Sequence, residues 1–104
     1  MSAFVISITN PGASPADNGR MISALTLARS LVDKGADVTL LFEGQGVAWL
    51  PRFLQRTDDS HPFVRNYGGV FDGLQAYMRA CNMCCRRFDT TEAVRAGGIQ
   101  ILGK

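Results

Sequence analysis

The thiols of the chain are concentrated in one short segment. Cys81, Cys84 and Cys85 are the only cysteines, and three arginines flank them: Arg79, Arg86 and Arg87. Nearby cations and the amide groups at a helix start both stabilise a thiolate and lower its pKa. A thiolate at Cys81 can attack a disulfide, polysulfide or persulfide sulfur, and Cys84 can then resolve the product. The segment therefore predicts a dithiol site, in which Cys85 is auxiliary because a disulfide between neighbouring residues is strained.

The cysteine cluster is also compatible with a structural role or with metal binding. Free cysteines pack as small apolar residues, so the group can be structural. A closed zinc site needs four ligands, and the chain has a single Cys-x-x-Cys pair. His61 would be the fourth ligand, but it lies twenty residues before Cys81 in a polar stretch. A site shared between subunits would avoid this difficulty, and a non-catalytic oligomer with a metal-binding or structural cluster is the alternative function. No metal ligands are assigned.

Two loops after predicted strands are candidate borders of a pocket. Glu43-Gly44-Gln45-Gly46 follows one strand, and Asn10-Pro11-Gly12 follows another, where open α/β sheets place their sites. The glycine loop lacks both the GxGxxG spacing and the Lys-Ser/Thr of a phosphate-binding loop, which favours a plain βα turn over a nucleotide or flavin site. Asn10, Gly44 and Gln45 are retained as pocket-loop residues, and no cofactor is predicted.

The elements around these residues follow from hydrophobic patterning. Residues 3–9 form a continuous apolar, β-branched run typical of a strand covered on both faces. Ser14 caps a helix that begins with Pro15 and ends before Gly35, and residues 36–42 form a second strand. Short connections then favour a parallel βαβ unit. Residues 47–54 predict a short helix, 55–66 a polar loop, 90–96 a helix and 99–102 a strand; residues 71–81 fit a helix or a strand.

Length and composition predict one globular domain spanning residues 1–104. Apolar residues make up 46% of the chain and charged residues 19%, which excludes wholesale disorder. Eleven basic and nine acidic residues leave a net charge of +2, which excludes a strongly basic nucleic-acid arm or a polybasic membrane anchor. We expect neither nucleic acid nor a membrane as a partner. No signal or spanning segment is recognised, so we expect a cytoplasmic protein with reduced thiols.

Two blocks of the chain resemble the DsrE/DsrF-like family of small sulfur-relay proteins, which includes YchN-like and TusBCD-type subunits. The first block runs from the initial strand through Lys34-Gly35-Ala36-Asp37-Val38 to Phe42-Glu43-Gly44-Gln45-Gly46-Val47. The second is Cys81-Asn82-Met83-Cys84 with Arg87, followed by Asp89-Thr90-Thr91-Glu92 and a final strand. The first block is a generic βαβ pattern, and its combination with the cysteines is more specific.

The resemblance implies an α/β fold: a flavodoxin-like, three-layer domain with a mostly parallel sheet of four to five strands. It also implies a sulfurtransferase or persulfide-carrier activity, with Cys81 as the sulfur-accepting residue at the end of the third strand. Cys84 matches a second cysteine of some members, and residues 75–80 are assigned to the strand. A homo-oligomer, a trimer or hexamer, and sulfur donor and acceptor proteins are implied as partners. The chain departs from the family pattern at Phe88, where glycine is usual, and in the additional Cys85.

Overall fold

The computed structural model describes residues 3–56 and 62–103. Within these ranges, four strands alternate with five α-helices and two short 3₁₀ segments. The strands are β1 (Ala3–Ile8), β2 (Asp37–Phe42), β3 (Met78–Cys81) and β4 (Gln100–Leu102). The helices are α1 (Pro15–Asp33), α2 (Trp49–Leu54), α3 (Pro62–Leu74), α4 (Asn82–Arg87) and α5 (Thr91–Ala96). The 3₁₀ segments, Gly44–Ala48 and Gln75–Tyr77, lead into α2 and β3.

The sheet is parallel throughout, and its strands lie side by side in chain order, β1-β2-β3-β4. This confirms the predicted α/β, flavodoxin-like class with a parallel sheet of four strands. Helix α1 begins as the sequence predicts: Ser14 Oγ accepts a hydrogen bond from the amide of Asp17 at 3.2 Å, and Pro15 occupies the first turn. Gly35 follows the helix at φ +80°, where a residue without a side chain is favoured.

The core lies between one face of the sheet and a continuous layer of helices. Helix α1 contacts β1, β2 and α3, and helix α2 contacts both α3 and α5. Aromatic rings fill the space beneath this layer, and the rings of Phe53 and Phe71 stack at 4.5 Å between centroids. Trp49, Phe53 and Phe63 are all buried, so these aromatics belong to the core and not to an exposed patch.

The opposite face of the sheet is exposed or half-buried. We call it the open face, and it consists of the following strand residues, which the register places side by side on one face: Val5, Ser7, Thr39, Leu41, Arg79, Cys81, Gln100 and Leu102. Val5 is 67% exposed and Leu102 is 40% exposed. The third layer of a three-layer arrangement would lie over this face.

Three sequence-based expectations are corrected. Strand β1 is not covered on both faces, because the helices pack on one face of the sheet and most β1 residues, including Val5 and Ser7, are exposed. Residues 62–66 do not belong to a polar loop, because α3 begins at Pro62, a residue well suited to a first helical turn. Residues 71–81, which fit a helix or a strand in sequence, contain both a helix and a strand, since α3 continues to Leu74 and β3 starts only at Met78. The segment 57–61, including His61, lies outside the described residues.

Gly46 marks the closest approach between the second crossover and β1. A Cβ atom at Gly46 would overlap the carbonyl oxygen of Ile8, a backbone atom that cannot swing aside. We therefore expect Gly46→Ala to lower the free energy of unfolding by at least about 3 kcal/mol, as measured by urea denaturation. The matched control is Gly69→Ala, which lies within α3 with no atom near its Cβ position. It should raise the free energy by about 0.5–1 kcal/mol. Equal stability of the two variants would contradict the close approach.

Candidate functional site: the thiol pair at the start of helix α4

Cys81 occupies the junction between the last residue of β3 and the first turn of α4. It is the residue that precedes the first turn of the helix, and its backbone is extended. Hydrogen bonding by the thiol of Cys84, the amide of Cys84 and the amide of Met83 stabilises the thiolate form and lowers the pKa of Cys81. Partial burial and the carboxylate of Glu43 act in the opposite direction. The net result is a half-buried thiol that ionises more readily than an ordinary cysteine.

Cys84 lies one turn further along α4 and is a donor and an acceptor at once. Its thiol donates to Cys81, which raises the pKa of Cys84, and burial raises it further. Its sulfur accepts a hydrogen bond from the amide of Gly44 at 3.1 Å, which acts in the opposite direction. The two thiols therefore have ordered roles: Cys81 is the stronger nucleophile, and Cys84 holds its proton.

Cys85 is separated from this pair by burial. Its side chain is fully enclosed in the core, and burial raises its pKa, while a hydrogen bond with Thr90 lowers it. Thr90 and Cys85 are also joined through the backbone, since the amide of Thr90 donates to the carbonyl of Cys85 at 2.8 Å. The position of Cys85 suits a packing residue better than a nucleophile.

Hydrogen bonds account for the lowered pKa of Cys81, and none of the three flanking arginines is among its main causes. Arg79 lies on the open face but folds back, donating to the carbonyls of Ala76 at 3.1 Å and Met78 at 2.7 Å. Arg86 and Arg87 are exposed in the last turn of α4, where cations favour the helix dipole. The arginines are therefore near the thiols in sequence but serve the backbone and the helix end.

The three residues predicted to border a pocket lie in two separate parts of the structure. The amide of Gly44 reaches Cys84, so this residue joins the thiol site, while Gln45 is exposed beside it. Asn10 lies elsewhere, because its side-chain oxygen accepts from the indole of Trp49 at 3.0 Å. The sequence analysis did not identify Glu43 as a site residue, although its carboxylate acts on the pKa of Cys81. Its position directly before Gly44, at the carboxyl end of a parallel strand, was the available signal.

The chain has Phe88 directly after α4, at a position where the DsrE/DsrF-like family that it resembles usually has glycine. Phe88 keeps negative φ, and the left-handed conformation falls on the next residue, Asp89, at φ +58°. Aspartate tolerates this conformation better than most residues, because its side chain can bond locally. The chain therefore makes its turn one residue later than Phe88, and the Phe88 side chain is partly exposed.

Comparison of the chain with models of known protein families and with curated proteins found no match. Across residues 3–56 and 62–103, no group of three or more His, Cys, Asp or Glu side chains is arranged to hold a metal ion. Nor is any helix in those two ranges both long and apolar enough to cross a membrane. The three cysteines are free thiols.

The hydrogen bond from Cys84 sets the reactivity of Cys81, and alkylation measures it directly. Because the pKa of Cys81 is lowered, its reaction with iodoacetamide should persist to lower pH than that of an ordinary thiol, as followed by peptide mass spectrometry. Cys84→Ala removes the donor and should move the midpoint of Cys81 alkylation to higher pH. Arg87→Gln is the control and should leave the midpoint in place. An unmoved midpoint in Cys84→Ala would exclude the hydrogen bond as the cause.

Proposed function

We propose that the protein is a sulfur-relay protein that carries sulfane sulfur as a persulfide on Cys81, with Cys84 as the resolving thiol. The observation that carries this proposal is the thiol pair at the start of α4: the amide of Gly44 donates to the sulfur of Cys84 at 3.1 Å, and hydrogen bonding from Cys84 lowers the pKa of Cys81. A half-buried thiol with a lowered pKa forms its thiolate more readily, and the thiolate is the nucleophile that sulfur transfer needs. The proposal also rests on the resemblance of the cysteine segment to the DsrE/DsrF-like family.

The proposed chemistry begins with attack of the Cys81 thiolate on the outer sulfur of a donor persulfide. A new sulfur–sulfur bond forms at Cys81, the donor's sulfur–sulfur bond breaks, and the donor leaves as a thiolate. An acceptor thiolate can then take the outer sulfur in the same way and regenerate the Cys81 thiolate. Neither step changes the overall oxidation level, so no external oxidant is needed.

The second route of release uses Cys84. Its thiolate attacks the Cys81 sulfur, the outer sulfur leaves as hydrosulfide, and the Cys81–Cys84 disulfide forms. The sulfane sulfur is reduced by two electrons and the two cysteines are oxidised by two, so an external dithiol must reduce the disulfide before another cycle. The raised pKa of Cys84 keeps this thiol protonated and delays the release until an activating event.

The proposed setting is cytoplasmic, where reducing conditions keep such thiols free. Sulfur donor and acceptor proteins are the proposed partners, because a persulfide is passed between thiols in direct contact. The exposed side chains of Met83, Phe88 and Leu102 lie near the thiols in the chain or the sheet, and they supply apolar surface for a transient protein contact.

Intact-mass measurement tests the carrier function. The purified protein treated with polysulfide should gain whole sulfur atoms that dithiothreitol removes, and Cys81→Ser should lose this gain entirely. Cys85→Ser is the matched control and should load as the parent does, because its thiol is enclosed in the core. Loading that persists in Cys81→Ser would overturn the assignment. A protein that gains no sulfur but retains metal would support the alternative, a non-catalytic oligomer with a metal-binding cluster.

The role of Cys84 has a separate readout. The Cys84→Ser variant should accept sulfur but fail to release hydrosulfide without an added acceptor thiol, because the intramolecular disulfide cannot form. A methylene-blue sulfide assay after removal of polysulfide measures this release. Equal hydrosulfide release from Cys84→Ser and the parent would rule out the resolving role while leaving the carrier role intact.

We also propose that the protein assembles as a homo-oligomer, a trimer or hexamer, in which the β1 and β2 side of the open face is covered and Cys81 stays accessible. Val5 is apolar and 67% exposed on this side, and Leu41 on β2 is half-buried on the same face. Val5→Glu should dissociate the oligomer, because burying a carboxylate without a partner is unfavourable. Light scattering after gel filtration gives the mass. Leu27→Glu is the matched control on α1, since Leu27 is 51% exposed away from the sheet. A monomeric parent protein would refute the assembly.

A further inference from the structure

A cavity of about 230 Å³ lies beside Trp49, apart from the thiol pair. It is lined by the loop after β1, the first turns of α1, helix α2 and the start of α3, through the residues Gly12, Asn18, Trp49, Arg52, Phe63 and Val64. Drug-sized ligands occupy pockets of roughly 300–1,000 Å³, so this volume suits a smaller molecule. Its walls are mainly aromatic and aliphatic, and Arg52 is the single charged residue among them.

The cationic group of this cavity is fixed in place. The guanidinium carbon of Arg52 lies 5.3 Å from the centroid of the Trp49 ring, within the range of a cation–π contact. One of its Nη atoms donates to the carbonyl of Gly12 at 3.0 Å. A guanidinium has five N–H donors in a planar fork, so this bond leaves donors for a carboxylate.

The loop that forms the cavity wall is built to approach these two side chains. Gly12 has φ +70°, and a Cβ atom there would lie 2.6 Å from the Trp49 ring. The side-chain oxygen of Asn10 accepts from the amide of Gly12 at 3.2 Å and from the indole of Trp49 at 3.0 Å. The ring, the loop and the arginine are thus held together before any ligand arrives, which limits the ordering that binding would require.

The nearby carboxylate does not neutralise the cavity. Asp17, at the start of α1, accepts from the amide of Ala13 at 2.9 Å and pairs with Arg20 at 3.2 Å. The charge of Asp17 is therefore balanced by groups at the start of α1 and not by the cavity. Among residues 3–56 and 62–103, those that line the cavity combine apolar rings with one guanidinium and no acidic group, a composition that complements an apolar molecule with one negative charge.

We propose that this cavity binds a small aromatic carboxylate, with its ring against Trp49 and Phe63 and its carboxylate on Arg52. The ring centroids of Trp49 and Phe63 are 5.4 Å apart and inclined at 57°, so they form an angled apolar wall and not a flat stack. The bound carboxylate would form paired hydrogen bonds to the guanidinium, which discriminates against neutral molecules of the same shape.

Trp49 is the only tryptophan of the chain, so its fluorescence reports on this cavity alone. The test is a titration with phenylacetate into the millimolar range, beside its neutral isostere 2-phenylethanol and the ring-free anions acetate and phosphate. Phenylacetate should give a saturable change in Trp49 emission, and each of the other three should bind at least tenfold more weakly. No saturable change with phenylacetate, or equal binding of any of the other three, would overturn the proposal.

Substitutions test whether phenylacetate binds in this cavity. Arg52→Gln should weaken phenylacetate binding at least tenfold, and Arg52→Lys, which keeps the charge but loses the fork, should weaken it less. Arg65→Gln is the matched control, because Arg65 is exposed on α3 next to the lining residue Val64. Circular dichroism verifies that each variant is folded. Unchanged affinity in folded Arg52→Gln would overturn the proposal. Cys81→Ser should bind as the parent does, so this test and the sulfur-loading test fail independently.

Discussion

The contact between Gly46 and the carbonyl of Ile8 determines where both the thiol site and the Trp49 cavity are formed. The amide of Glu43 also donates to this carbonyl at 3.1 Å, so the second crossover leaves β2 directly over the end of β1. A side chain at position 46 would push the 3₁₀ segment away from the sheet. From this single point of contact the segment extends in two directions: Gly44 lies against Cys84, and Trp49 lies against Asn10.

Directional hydrogen bonds distinguish the two thiols more than the surrounding charges do. The amide of Gly44 donates to Cys84, Cys84 donates to Cys81, and the helix amides add to the same acceptor. Bonds in such a series polarise one another, which strengthens the terminal acceptor. Because the donors are mostly main-chain groups, the arrangement depends on the backbone of the loop and of α4. Burial and, to a smaller extent, the carboxylate of Glu43 oppose this effect by raising the pKa of Cys81.

The sequence predicted well those features that depend on neighbouring residues. The cap at Ser14 and the break at Gly35 were both visible as local patterns. It did not predict the bond from Gly44 to Cys84 or that from Trp49 to Asn10, because these residues are 40 and 39 positions apart. Such pairs exist only once the strands have taken their order in the sheet.

The exposure of β1 was missed for the same reason. A continuous apolar run is equally suited to a central strand and to an edge strand, and only the strand order decides between them. The arginines show the opposite kind of error, in which residues close in sequence were expected to interact directly. Their closeness to the cysteines in sequence suggested a direct charge effect on the thiols, but Arg79 is turned toward the main chain. The assignment to the sulfur-relay family stays a prediction.

The sequential strand order also affects how the molecule can be made. Each strand pairs with the one synthesised just before it, so the sheet can grow at one edge while the chain emerges from the ribosome. The first crossover places α1 on β1 and β2, and α3 from the later half then completes the burial of α1. The reactive cysteines, carried on the third strand and the helix after it, enter a framework that already exists. Vectorial assembly of this kind shortens the time during which unfolded thiols are open to mispairing.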